Sequence, residues 1–151
     1  MKNTVKTYGQ IVCDLIRINK VRVECFEMLA QESGQSSKEL KQIFRLKIEK
    51  IQKSNEELSV LIADVDLRDT KPGKIYREWN ETKSMLSFKD TRAIFDFCEC
   101  GEEAALEAYK TALISDSLNS YASRVIMDQK YSLQSSHTQI KKYLDLQQLA
   151  Y

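Results

Sequence analysis

Residues 40–65, LKQIFRLKIEKIQKSNEELSVLIADV, decide how this chain folds. Leu40, Phe44, Ile48, Ile51, Asn55, Leu58, Ile62 and Val65 recur at steps of three and four. That spacing places them on one stripe of an α-helix about seven turns long. Lys41, Lys47, Lys50, Lys53, Glu49, Glu56 and Glu57 are read as the opposite, solvated face, with some pairing at i,i+4. A helix this long with one apolar stripe must bury it against other helices.

The pattern extends in both directions. Upstream, Val12, Leu15, Ile16, Asn19, Val23, Phe26 and Ala30 form a stripe on a helix expected from about Thr4 to Glu32. Gly34 suits its left-handed stop, and Ser36-Ser37-Lys38-Glu39 is a capping-box opening for the second helix. So short a connection makes the first two helices antiparallel neighbours. Downstream, Asp66–Lys74 breaks the periodicity with Asp69, Thr70, Gly73 and the chain's single proline, Pro72. A shorter helix follows, about Ile75–Leu86, with Ile75, Trp79, Thr82, Met85 and Leu86 inward. Ser87–Thr91 offers a stop and a new N-cap.

The third long helix spans about Arg92–Ile114. Its inward face is Phe95, Cys98, Glu102, Ala105, Tyr109 and Leu113, flanked by Ile94, Ala108 and Ala112. Gly101 and the alanines are small enough to admit a close neighbour. Asp116 or Ser117 is the expected cap of the fourth, which runs to about Gln148. Leu118, Ala122, Val125, Gln129, Leu133, Ile140 and Leu144 face inward there, with His137 beside the stripe. The expectation is an all-α single domain over residues 1–151, a bundle of four long helices. The short helix, about 18 Å long at 1.5 Å per residue, carries the chain back along the bundle between helices two and three.

Composition excludes several function classes. With 23 Lys+Arg against 22 Asp+Glu, the chain has no strong field to hold nucleic acid or an anionic membrane. No signal-peptide layout opens it, and no apolar run is long enough to span a bilayer, so a cytoplasmic protein without membrane or nucleic-acid partners is expected. Cys13, Cys25, Cys98 and Cys100 include no Cys-x-x-Cys, and read as reduced, partly buried small apolar residues. Gly9, Gly34, Gly73 and Gly101 stand alone, so no phosphate loop exists. Ser132, Ser135 and Ser136 lie near His137, but no strand–turn–helix elbow presents them. The aromatic residues follow the helical stripes, as packing residues do.

Several segments resemble one known family. Glu99-Cys100-Gly101-Glu102-Glu103-Ala104-Ala105-Leu106-Glu107-Ala108-Tyr109 is the most specific. Asn19-x-x-Arg22-x-Glu24-x-Phe26, Trp79 in the short helix, and Gln129 followed by His137 and Ile140 accompany it. Together, over about residues 10–146, they resemble a bacterial ferritin-like four-helix-bundle family classed as a domain of unknown function. Cys25 stands where that family favours glycine, and Phe26 where tyrosine is commoner. The resemblance implies a ferritin-like bundle with the extra helix in its crossover. It implies no activity beyond a loose link to stress physiology.

A ferritin-like di-iron centre takes six ligands, including two Glu-x-x-His pairs. This chain has one histidine, Gln134 stands three residues before it, and the second helix offers Lys50 and Lys53 at the corresponding height. No intact di-iron site is expected, and no catalytic or cofactor-binding residue is assigned. The alternative is a degenerate oxidoreductase holding a single iron, manganese or zinc ion, with Glu24 or Glu27, Glu102 and His137 as candidate ligands. A small-ligand carrier would need a sizeable apolar cavity. Asn19, Asn55, Glu102 and Gln129 interrupt apolar stripes, which predicts a hydrogen-bonded layer that sets helix register. The favoured function is a non-enzymatic structural or regulatory interaction protein. An apolar patch of Trp79, Met85, Phe88 and Phe97 is expected to support a homodimer.

Overall fold

The computed structural model describes residues 2–33, 38–63, 71–84 and 91–149, with side chains for 8–31, 38–63, 71–81 and 98–142. Five helices carry these residues: α1 (Lys2–Ser33), α2 (Lys38–Leu61), α3 (Lys74–Ser84), α4 (Thr91–Ile114) and α5 (Ser120–Leu149). The expected elements are all present, and no strand occurs among the described residues. The expected stops and caps at Gly34, Ser36, Ser37 and Ser87, and the inward assignments of Val65, Thr82, Met85, Leu86, Ile94, Phe95 and Leu144, lie outside the described residues or side chains.

Side-chain pairings fix the helix directions. Tyr8 donates to the Leu61 carbonyl at 3.2 Å, Asn19 to Asn55 at 2.9 Å, and Phe26 stacks with Phe44 at 5.8 Å between ring centroids. As α1 advances α2 recedes, so the two are antiparallel. Arg22 meets Glu102 and Asn19 meets Tyr109, making α4 antiparallel to α1. Tyr109 meets Gln129, and Glu99 meets Lys141, making α5 antiparallel to α4. Four long helices therefore form a square in which α1 neighbours α2 and α4, and α5 neighbours the same two. The diagonal pairs, α1 with α5 and α2 with α4, each run in a common direction.

The short α3 packs on α1 and α4. Its start lies at Asp14 of α1, and Trp79 reaches Gly101 of α4. It climbs the bundle from the end of α2 toward the start of α4, as expected of a crossover helix, and its 11 residues span about 16 Å.

The apolar core follows the expected stripes. Val12, Leu15, Ile16, Phe26, Phe44, Ile51, Leu58, Ala105, Tyr109, Ala122 and Leu133 are buried. Small alanines on α4 (Ala105, Ala108, Ala112) let α1 and α3 approach. Gly101 does not act this way: a Cβ built there meets nothing within 4 Å.

Two local expectations are corrected. The cap of α5 is Asn119, not Asp116 or Ser117: its Oδ1 accepts from the Ala122 amide at 2.8 Å. Trp79 is no surface residue; it is 3% exposed and its indole donates to the Gly101 carbonyl at 3.0 Å. Met85, Phe88 and Phe97, the other members of the expected patch, lie outside the described side chains.

The α3 start is held from a distance. Asp14, buried on α1, accepts from the Gly73 amide at 2.8 Å and the Tyr76 amide at 3.3 Å. A carboxylate there satisfies first-turn donors and faces the positive end of the helix dipole. Burial raises the Asp14 carboxyl, and these amides pull it back. The approach needs glycine: a Cβ at position 73 would lie 2.5 Å from Asp14 Oδ2 and 2.7 Å from Gln10 Cγ. Gly73→Ala is expected to cost about 1–3 kcal/mol in urea unfolding by displacing that carboxylate. A loss under half that would mean the side chains move aside freely.

Candidate functional site

The centre of the bundle holds charge. Glu102 projects from α4 and is 3% exposed. Arg22 of α1 grips it with both prongs, Nε on Oε1 and Nη2 on Oε2, the latter at 2.9 Å. Lys47 of α2, also 3% exposed, places Nζ 3.1 Å from Oε2. The same ammonium lies 5.7 Å from the centre of the Phe26 ring. Two buried cations thus share one carboxylate, the planar fork taking the bidentate geometry and the point charge taking what remains.

Titration behaviour follows from that unequal sharing. Burial alone would raise the Glu102 carboxyl, but the Arg22 and Lys47 charges hold it down at about 2. For Lys47 burial dominates, and with a smaller repulsion from Arg22 it lowers the ammonium to about 8 despite the pull of Glu102. Glu102 is stabilised by its partners, whereas Lys47 bears a desolvation cost that half a carboxylate does not offset.

A polar chain continues from this cluster. The remaining Arg22 nitrogen, Nη1, donates to Asn19 Oδ1 at 2.7 Å. Asn19 Nδ2 donates to Asn55 Oδ1 at 2.9 Å and to the Tyr109 hydroxyl at 3.0 Å. Asn55 in turn donates to the Ile16 carbonyl at 3.2 Å. Tyr109 donates to Gln129 Oε1 at 2.7 Å, and Gln129 Nε2 donates to the Ser54 carbonyl at 3.0 Å and Glu57 at 3.2 Å. The network joins all four long helices. It contains every polar position expected in the layer, Asn19, Asn55, Glu102 and Gln129. A slip of one helix by a turn would break several of these bonds at once, leaving buried groups unpaired.

Arg22, Lys47 and Tyr109 were the members that periodicity did not assign to the layer. Lys47, read above as solvated, lies three residues after Phe44 and four before Ile51, so its position on the stripe was open. Arg22 continues the series Leu15, Asn19, Phe26 and Leu29 at steps of three and four. Spacing carried the signal; charge disguised it.

The metal-ligand candidates are scattered. Glu24 and Glu27 are exposed on α1, and Glu102 is committed to Arg22 and Lys47. His137 faces α4, with Nε2 4.0 Å from Glu103 Oε1. Glu99 joins them: one ligand atom each from Glu99, Glu103 and His137 lies within 4.8 Å of the others. Lys141 Nζ stands 3.6 Å from Glu99. Lys50 and Lys53 are exposed on α2; Lys47 is the lysine that enters the core.

Cavities bear on the carrier alternative. The apolar space beside His137, lined by Phe26, Leu29, Phe44, Cys98 and Ile140, measures about 20 Å³, room for roughly one water. Larger hollows are grooves on the outside: about 340 Å³ between α3 and α4, and about 310 Å³ between α2 and α5. Cys13, Cys25 and Cys98 are buried, in line with an apolar role. A hydrogen bond to Cys25 and then burial raise the Cys98 thiol, so its reactive thiolate is disfavoured. Among the described residues no helix is long and apolar enough to cross a membrane. Comparison with protein families, with curated proteins and with solved structures finds no match to this chain.

The cluster predicts opposite effects for its two ends. Glu102→Gln strips two buried cations of their anion and is expected to cost about 3–5 kcal/mol. Lys47→Met at pH 7 is expected to be neutral or stabilising. The pH dependence has two windows. Glu102 is depressed on folding, so its contribution is present above the unfolded value of 4.5 and lost as pH falls toward about 2. Lys47 is depressed too, but as a base: between about 8 and its unfolded 10.5 the unfolded chain binds more protons. Stability relative to Lys47→Met should therefore rise from pH 8 to 10. Chemical denaturation of both chains across pH checks this, and a relative fall over that range would refute it.

Proposed function

We propose that this chain is a ferritin-like bundle whose centre is occupied by its own charges, and that it works as a non-enzymatic structural or regulatory interaction protein. Three features support the ferritin-like reading: antiparallel neighbours, a common direction along the diagonals, and a crossover helix between the second and third long helices. The observation that carries the functional reading is the claim on Glu102. An inward carboxylate of the third long helix is a natural ligand for a central ion, yet here Arg22 and Lys47 neutralise it at 2.9 and 3.1 Å. Fold alone supplies no activity.

A protein of this kind acts through its surface. Val60, Ile114 and Tyr121 are 71%, 80% and 66% exposed. They lie at the end where α2 finishes and α4 gives way to α5. Exposed apolar side chains there favour a homodimer, the commonest closed assembly, in a cytoplasmic setting. The competing reading, a metal-dependent oxidoreductase of the ferritin-like type, requires the central carboxylate to exchange its protein cations for metal.

Metal analysis of protein purified without chelator, with iron-oxidation assays, tests the proposal. No binuclear iron or manganese centre and no turnover are expected. The combined variant Glu102→Gln with Arg22→Met and Lys47→Met, chosen so that none of the cluster's buried charge remains, should leave the metal content unchanged. Stoichiometric iron, manganese or zinc, one equivalent or two, lost in that variant together with oxidation activity, would establish the oxidoreductase reading instead.

A further inference from the structure

We infer that Glu99, Glu103 and His137 form a site for one divalent first-row transition ion, clamping α4 to α5 outside the central cluster. Glu99 and Glu103 are four residues apart on α4, so both carboxylates leave the same face. His137 approaches from antiparallel α5. One nitrogen and two carboxylate oxygens, all within 4.8 Å of one another, suit a borderline ion such as zinc, manganese or iron(II).

The geometry is close to closure. Ligands on a tetrahedral zinc stand about 2.0–2.2 Å from the metal, hence about 3.3 Å from each other. His137 Nε2 is 4.0 Å from Glu103, so a shift of about 1 Å completes the pair. Glu103 is exposed and has the rotamer freedom to make it. Water fills the remaining position, as in open zinc sites.

A second observation points to a cation there. His137 has a side chain only 16% exposed, and among the described residues its one polar contact is that carboxylate, beyond hydrogen-bonding distance. A largely buried imidazole is thus aimed at a carboxylate pair without a bond to orient it. Glu99 and Glu103 also repel each other at i,i+4, and Lys141, 3.6 Å from Glu99 and half exposed, offsets this weakly. A bound dication would neutralise both carboxylates and fix the ring. Glu102 takes no part, so the site is independent of the ion cluster and of the function proposed above.

The test uses the full chain freed of metal by dialysis. Calorimetric titration with Zn²⁺ should give one equivalent. Glu103→Gln and His137→Gln should each weaken binding at least tenfold, the lower end of what lost metal-site contacts cost. Lys141→Met, which frees Glu99, should strengthen it about two- to fivefold. Co²⁺ should give visible bands of a nitrogen–oxygen site without a thiolate charge-transfer band. Absence of zinc binding, affinity in both ligand variants equal to that of the unsubstituted chain, or a thiolate band placing the ion on Cys98 or Cys100 would each overturn the assignment.

Discussion

The bundle is organised around one carboxylate. Glu102 leaves α4 into the buried centre, 3% exposed, and it remains ionised there because Arg22 and Lys47 meet it. That requirement ties three helices to one point. Arg22 also holds Asn19, which holds Tyr109 and Asn55, and Tyr109 holds Gln129. Four amphipathic helices with Leu, Ile and Ala faces pack acceptably in many registers. A branched chain of directional bonds accepts one.

Such a core trades stability for definition. Burying two cations on a single anion leaves a net positive charge inside the protein, and the lowered Lys47 ammonium reports that cost. The same charges occupy the carboxylate that a central metal ion would need. A carboxylate already neutralised by a guanidinium fork gains little from a dication and would have to release its partner. The proposed ion site lies at the edge instead, where Glu99, Glu103 and His137 each place one ligand atom within 4.8 Å of the others.

Much of the architecture was legible because helical periodicity is a direct imprint of burial. The 40–65 stripe, the short Trp79 helix and the break at Pro72 were sufficient to read four long helices and a crossover. Asn19, Asn55, Glu102 and Gln129 could be assigned to a polar layer because each interrupts an apolar stripe. Lys47 could not, since a lysine between Phe44 and Ile51 reads equally well as a solvated neighbour of Ile48. Only the facing carboxylate, 55 residues away, decides its side. Asp14 was hidden for a similar reason: its partners are amides of a helix 59 residues onward, and amides leave no mark in sequence. The Glu99–Glu103–His137 group required knowing that α4 and α5 pair antiparallel in one register.

The most direct test of this account compares two variants in equilibrium unfolding. One is Glu102→Leu. The other adds Arg22→Met and Lys47→Met to it, replacing the whole ion cluster with apolar side chains. If the carboxylate matters because it neutralises two buried cations, the single variant should unfold far more easily, and the triple variant should recover most of the loss. A triple variant as unstable as the single one would contradict the account, because the cations would then not be the reason Glu102 is needed.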